Sequence, residues 1–140
     1  SKGLIMRDRY NFTIYGECVA KARPRFTQYG HVYTPAKTKE YERLIKSVAR
    51  ENNIPCITTA LKIDITIYKS IPASWTKKKK EQALSGELLP VVKPDIDNYV
   101  KAVLDGLNGL LFVDDKQIIE LTARKKYSEH ARTEVTVWAI

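Results

Sequence analysis

The sequence predicts one α+β domain over residues 1–140, a small mixed β-sheet with helices packed mainly on one face. Residues 61–68 alternate Leu61, Ile63, Ile65 and Ile67 with Lys62, Asp64, Thr66 and Tyr68, the period-two pattern of a strand buried on one side. Two other stretches, around residues 38–52 and 97–107, repeat their apolar positions at three and four, as amphipathic helices do. A chain of 140 residues buries about two-thirds of the surface it exposes when unfolded, so it needs no disulfide staple. Cys18 and Cys56 read as reduced thiols of a cytoplasmic protein, and no apolar run reaches membrane-spanning length, so no membrane partner is expected.

Taken in order, Phe12 and Ile14 alternate with Asn11, Thr13 and Tyr15 in a first strand. Lys21, Arg23 and Arg25 surround Pro24, which resists regular structure, so this segment reads as an exposed loop suited to lie along phosphates. Gln28 to Tyr33 reads as a tight turn flanked by tyrosines. The next helix starts at Thr34-Pro35 or Thr38 and buries Tyr41, Leu44, Ile45 and Val48, leaving Lys39, Arg43, Lys46 and Arg50 on a solvated side. After the strand at 61–68, Ser74 or Thr76 caps a short helix carrying Lys77 to Lys80 and ending before Gly86. Beyond residue 116, strands at 117–127 and 133–140 read as a hairpin through residues 128–132, with Arg124 and Lys126 on the face opposite its apolar residues. The net charge of +8 is concentrated in residues 1–50, where eleven Lys and Arg face four acids, and this field suits a polyanion.

Residues 93–115, KPDIDNYVKAVLDGLNGLLFVDD, carry the chemistry. In an extended lead-in Asp95 and Asp97 point to one side. From Asp97 the period becomes helical: Val100, Val103, Leu104 and Leu107 fall on one face, Asp97, Lys101 and Asp105 line an adjacent edge, and Gly109 stops the helix. The apolar run 110–113 then delivers Asp114-Asp115. Clustered carboxylates stay ionised most readily around a cation. With only His31 and His130 in the chain and no zinc-type spacing, the ion implied is hard, Mg²⁺ or Mn²⁺. Such an ion activates water against a phosphoryl group, and Lys101 is placed to neutralise charge building on it. Each piece also has an ordinary structural use, as an N-cap, a first-turn acid or a turn. Their conjunction points to a metal-dependent enzyme acting on a phosphorylated polymer.

KPDIDNYVKAVLDGLNG followed by DDKQI resembles the signature of the RusA family of Holliday junction resolvases. The resemblance is dense over about a quarter of the chain and weaker in the KARPR segment, the lysine-rich stretch and the strand after the acidic pair. It implies a Mg²⁺-dependent endodeoxyribonuclease that resolves four-way DNA junctions by paired nicks in recombination and repair, acting as a homodimer. Asp95, Asp97 and Asp115 become the metal-binding and catalytic acids, with Asp114 the other half of the pair and Lys101 the essential basic partner. Asn98 belongs to the motif, and Asp105 is a recurrent helix aspartate. Lys21, Arg23, Arg25, Lys101, Arg124 and Lys126 are the candidate DNA contacts. The competing readings are a non-catalytic junction or single-strand binding protein with structural acids, and a two-carboxylate glycosidase, which a basic chain with a lysine among its acids fits less well. P-loop hydrolysis is excluded because GxxxxGK[ST] is absent.

Overall fold

The computed structural model describes residues 8–22, 25–33 and 35–140. Its centre is a four-stranded mixed sheet of β1 (Asp8–Tyr15), β4 (Leu61–Ser70), β5 (Ile118–Ser128) and β6 (Arg132–Ala139), in the order β1-β6-β4-β5. A two-stranded ribbon, β2 (Arg25–Phe26) with β3 (Val32–Tyr33), stands apart from it. Helices α1 (Ala36–Glu51), α2 (Lys77–Ser85) and α3 (Ile96–Leu107) complete the chain, as the α+β expectation required.

The alternation in β4 does what its pattern demands. Ile63, Ile65 and Ile67 are buried with Val135 and Val137 of β6 and Phe12 and Ile14 of β1, and α1 and α3 cover that face. Asp64 and Thr66 face the other way, where Asp64 pairs with Arg124 at 2.7 Å. β5 and β6 do not form the expected hairpin. β5 pairs parallel to β4, and β6 inserts antiparallel between β4 and β1. β4, flanked on both sides and apolar at every second position, is the better central strand, so it outcompetes the short local connection.

In α1 the buried residues are Thr38, Tyr41, Ile45 and Ala49, while Leu44 is largely exposed, contrary to expectation. Thr34 lies outside the described residues, and α1 begins after Pro35 without a side-chain cap. Lys46 is not simply solvated: its Nζ donates to the Gly106 and Asn108 carbonyls at the C-terminal end of α3, where a cation complements the helix dipole. α2 is capped as expected, Thr76 accepting from the Lys79 amide and Gly86 closing it with φ 85°.

α1 and α3 meet at Gly106, where a Cβ would lie 2.8 Å from Ile45 Cδ1 and 2.9 Å from its Cβ. Glycine in a helix interior normally costs about 1 kcal/mol against alanine, so it is kept here for close approach. Gly106→Val is therefore expected to destabilise by roughly 1–3 kcal/mol through overpacking. Urea unfolding with an unchanged slope and a lower midpoint would register this, and an unchanged midpoint would refute the packing argument.

Candidate active site

α3 starts one residue earlier than an extended Asp95-Ile96-Asp97 lead-in allows. Asp95 is the N-cap residue in extended conformation, and its carbonyl accepts from the Asn98 amide at 3.2 Å and the Tyr99 amide at 3.4 Å. Asp97 is already inside the first turn. The two carboxylates therefore flank Ile96 and line adjoining cavities. Asp97, Lys101, Asp105 and Asp115 surround one of about 390 Å³, floored by Leu121 and Ala123 of β5. Asp95 lines the neighbouring one with Lys125, and Ile96 forms the wall common to both. Asp95 makes no side-chain capping bond. An aspartate at an N-cap usually spends its carboxylate on the N2 or N3 amide, so leaving that bond unmade keeps the group available.

The buried stripe of α3 is rotated from the expected one. Tyr99, Ala102, Val103, Gly106 and Leu107 are buried, while Val100 and Leu104 line the Asp97 cavity. Tyr99, packed in the core with its hydroxyl accepting from Lys69 Nζ at 2.8 Å, was not singled out in the sequence. The rotation turns the Asp97-Lys101-Asp105 edge toward β5. Asn108 caps the helix and Gly109 follows with φ 81°, the stop expected of it.

Asp114 and Asp115 arrive on a built turn. Asp114 caps the 3₁₀ turn Asp115–Gln117, accepting from the Lys116 amide at 2.9 Å, and Gln117 Oε1 accepts from the Val113 and Asp114 amides. Gln117 Nε2 donates to the Ile57 and Thr59 carbonyls. Gln117 is thus a positioning residue that sequence reasoning missed, although Asp followed three residues later by Gln is the capping-box signal. The Lys116 amide, then the bond from Asp115, hold the Asp114 carboxyl below its ordinary pKa. That same bond with Asp114, followed by partial desolvation and the charges of Asp114 and Asp105, pushes Asp115 up, while Lys101 opposes the rise.

Asp115→Asn keeps a donor toward Asp114 without the second negative charge, so in chelator its Tm is expected to rise slightly above wild type. On adding Mg²⁺ the wild type should gain the more. An equal Mg²⁺ response from both proteins would remove Asp115 from the metal set.

The proposed DNA-contacting cations are dispersed. Lys21 is tucked between α1 and α3, 2.6 Å from Glu42 and 3.1 Å from Asp105, so it is not part of an exposed loop. Burial lowers its proton affinity, but the hydrogen bonds to Glu42 and Asp105 outweigh this and hold its pKa above the ordinary value. This pair also accounts for Asp105, which joins the Lys21 cluster to the cavity edge. Arg23 lies outside the described residues, and Arg25 begins β2 rather than continuing a loop. Arg124 holds Asp64 with both carboxylate oxygens on the sheet face away from α3, and Lys126 stands beside the end of α2.

The donors around the cavity are carboxylate oxygens, which suit a hard divalent cation. Among the described residues no three ligating side chains stand close enough to hold an ion as they lie. For Asp97 and Asp115 to hold an ion together, their side chains would have to rotate or a substrate would have to contribute oxygens.

No helix in the described residues is long and apolar enough to cross a membrane. A protein of Bacillus subtilis (strain 168) called uncharacterized protein YqaN is 42% identical over 136 residues, covering 93% of this chain and 96% of its own. The family described as endodeoxyribonuclease RusA matches residues 16–138, which include every acidic residue of the cavity and the strands β4 and β5 at the centre and one edge of the sheet. The chain belongs to the RusA endodeoxyribonuclease family.

Proposed function

We propose that this protein is a Mg²⁺-dependent, structure-selective endodeoxyribonuclease that resolves four-way DNA junctions by paired nicks in recombination and repair. The observation that carries the reading is the cavity at which Asp97, Lys101 and Asp105 of α3 meet Asp115 of the 3₁₀ turn that leads into β5, in a chain of this family. Asp97 and Asp115, with Asp95 and Asp114 beside them, are the residues that would hold Mg²⁺, and the same oxygens suit Mn²⁺. When bound, the ion supplies polarisation of the phosphoryl oxygen and a more acidic water. Lys101 offers its ammonium to the charge that builds on the scissile phosphate during in-line attack. Asp105, held by Lys21, positions that edge of α3.

Arg23, Arg25 and Lys126 are proposed phosphate contacts alongside Lys101. Lys21 and Arg124 already have acidic partners, so they reach DNA only by exchanging them. The described residues bring their acids to one cavity, whereas resolving a junction takes two nicks in strands related by a two-fold axis, so the active species is a homodimer. A synthetic four-way junction and a matched linear duplex, each with Mg²⁺ and with chelator, test the reading. Metal-dependent nicking of the junction alone supports it. A retarded but intact junction in both buffers would instead establish the non-catalytic binding module.

A further inference from the structure

Beside the acidic cavity the molecule carries an unusual combination of bare apolar side chains and lysines. Val91 is 89% exposed and Leu89 58% exposed. Both form part of two adjoining cavities, one with Asp95, Ile96 and Lys125, the other, of about 460 Å³, with Trp75 and Tyr127. Since Ile96 in turn borders the Asp97 cavity, the three cavities form one groove from the indole of Trp75 to the catalytic edge of α3. Lys125 fixes its middle by donating to the Val92 and Pro94 carbonyls at 2.9 and 3.1 Å.

At the far end Trp75 packs edge-on against Tyr127, ring centroids 5.3 Å apart, and Lys79 Nζ lies 4.0 Å from the indole centroid. Lys79 belongs to the first turn of α2, where Lys77 to Lys80 stand with no acid among them. That placement opposes the helix dipole, which favours anions at an N-terminus, and the cost is recovered when an anion arrives. Glu87 is the one acid lining this end.

We propose that this groove is a track for an unpaired DNA strand, leading it from Trp75 to the cavity that holds Asp97, Lys101 and Asp115. The proposal rests on the nuclease reading for its substrate and adds which form of DNA the protein grips. Aromatic and aliphatic walls flanked by lysines match a single strand, whose bases need flat apolar surface and whose phosphates need cations. A second copy of this chain would cover the apolar side chains equally well, but a two-fold contact here would set Lys79 of one copy against Lys79 of the other, a local repulsion that a DNA strand does not meet. The cation–π contact of exposed Lys79 is weak, so its ammonium yields the indole to a base and moves to the adjoining phosphate.

The chain has two tryptophans, and Trp138 sits against Arg9 and Lys62 on the open face of the sheet, away from the groove. In a Trp138→Phe protein, Trp75 fluorescence therefore reports on the groove alone. Without metal, a short oligothymidylate is expected to quench it saturably, more tightly than a duplex of equal length and less tightly as salt rises. Lys79→Gln should reduce the salt slope by roughly 0.7. Trp75→Ala, checked for native circular dichroism, should weaken binding followed by fluorescence anisotropy about fivefold or more. A protein that nicks junctions while Trp75 is unmoved by oligothymidylate and both variants bind as wild type overturns the groove and leaves the nuclease reading standing. Quenching with no nicking of any junction does the reverse. Trp75 emission that follows protein concentration and ignores DNA assigns the groove to a protein interface and also overturns the proposal.

Discussion

Asp97→Asn is expected to lower junction nicking by at least about a hundredfold while leaving junction binding intact. Changes to groups that merely support a metal ligand typically cost 10- to 100-fold, and loss of the ligand oxygen itself should exceed that. The substitution is isosteric and sits in the first turn of α3, so the helix loses only a dipole interaction of about 0.3–1 kcal/mol. Stability and activity are thereby separated. With chelator present the variant should hold the junction slightly more tightly than wild type, because one negative charge has gone from beside the phosphate. Lys101→Ala makes the complementary case. In the proposed reaction its ammonium would meet charge that exists mainly in the transition state, so kcat should fall by about 10²–10³ with little change in affinity. Single-turnover nicking and filter binding on the same preparations separate the two effects. Nicking by Asp97→Asn at the wild-type rate, with the same Mg²⁺ dependence, would remove that residue from the metal set.

The parts of this molecule legible in its sequence are those governed by local period. The alternation at Leu61, Ile63, Ile65 and Ile67 became a strand buried on one side, Thr76 and Gly86 bounded α2, and Gly109 stopped α3. The α3 edge of Asp97, Lys101 and Asp105 followed from four-residue spacing and does line one cavity with Asp115. What failed depends on long-range choice. β5 and β6 are joined by a short connection, yet β4 separates them, because the pairing of a whole apolar strand outweighs the entropy gained by a short loop. The face of α3 was read only in part: Val103 and Leu107 are buried as expected, but Val100 and Leu104 lie at the core's margin along the cavity, and Tyr99, whose hydroxyl reaches Lys69, is buried instead. Lys21 was read by its neighbours Arg23 and Arg25 as a surface cation, but its acidic partners come from α1 and α3, 21 positions away at Glu42 and farther at Asp105. No local pattern announces such a pair.

Two electrostatic arrangements tie that long-range packing to the site. Lys46 of α1 caps the C-terminal end of α3, and Lys21 binds Asp105 on its exposed edge. Both fix the helix that bears Asp97 and Lys101 against α1, leaving the cavity side of α3 facing β5. The same logic explains why Gln117 matters: it orients Asp114 and Asp115 through main-chain bonds while its amide holds residues 57–59. Asp95, Asp97 and Asp115 are exposed, so they depend on buried neighbours for their placement.

Phe112→Ala should accordingly produce the largest loss of stability, about 3–5 kcal/mol against a usual total of 5–15 kcal/mol. Phe112 is fully buried, and its carbonyl accepts from the Gly109 amide at 2.8 Å as the chain folds back after α3. Beside it, the Leu111 carbonyl accepts from the Ile57 amide at 2.7 Å, and Phe112 forms isolated bridges with Ile57 and Asn108. Two residues later the chain presents Asp114. A cavity in place of the ring removes the contacts that set where this turn sits, so nicking should fall even at temperatures where the variant is folded. Phe112→Leu fills most of the space and should retain both properties more nearly, with a cost below about 1.5 kcal/mol if the site repacks. Denaturant unfolding of the three proteins, with nicking assayed well below the lowest midpoint, reads the two consequences independently. If Phe112→Ala loses stability by the expected amount yet nicks at the wild-type rate, then the turn carrying Asp114 and Asp115 is positioned by Gln117 alone, and Phe112 serves only the core.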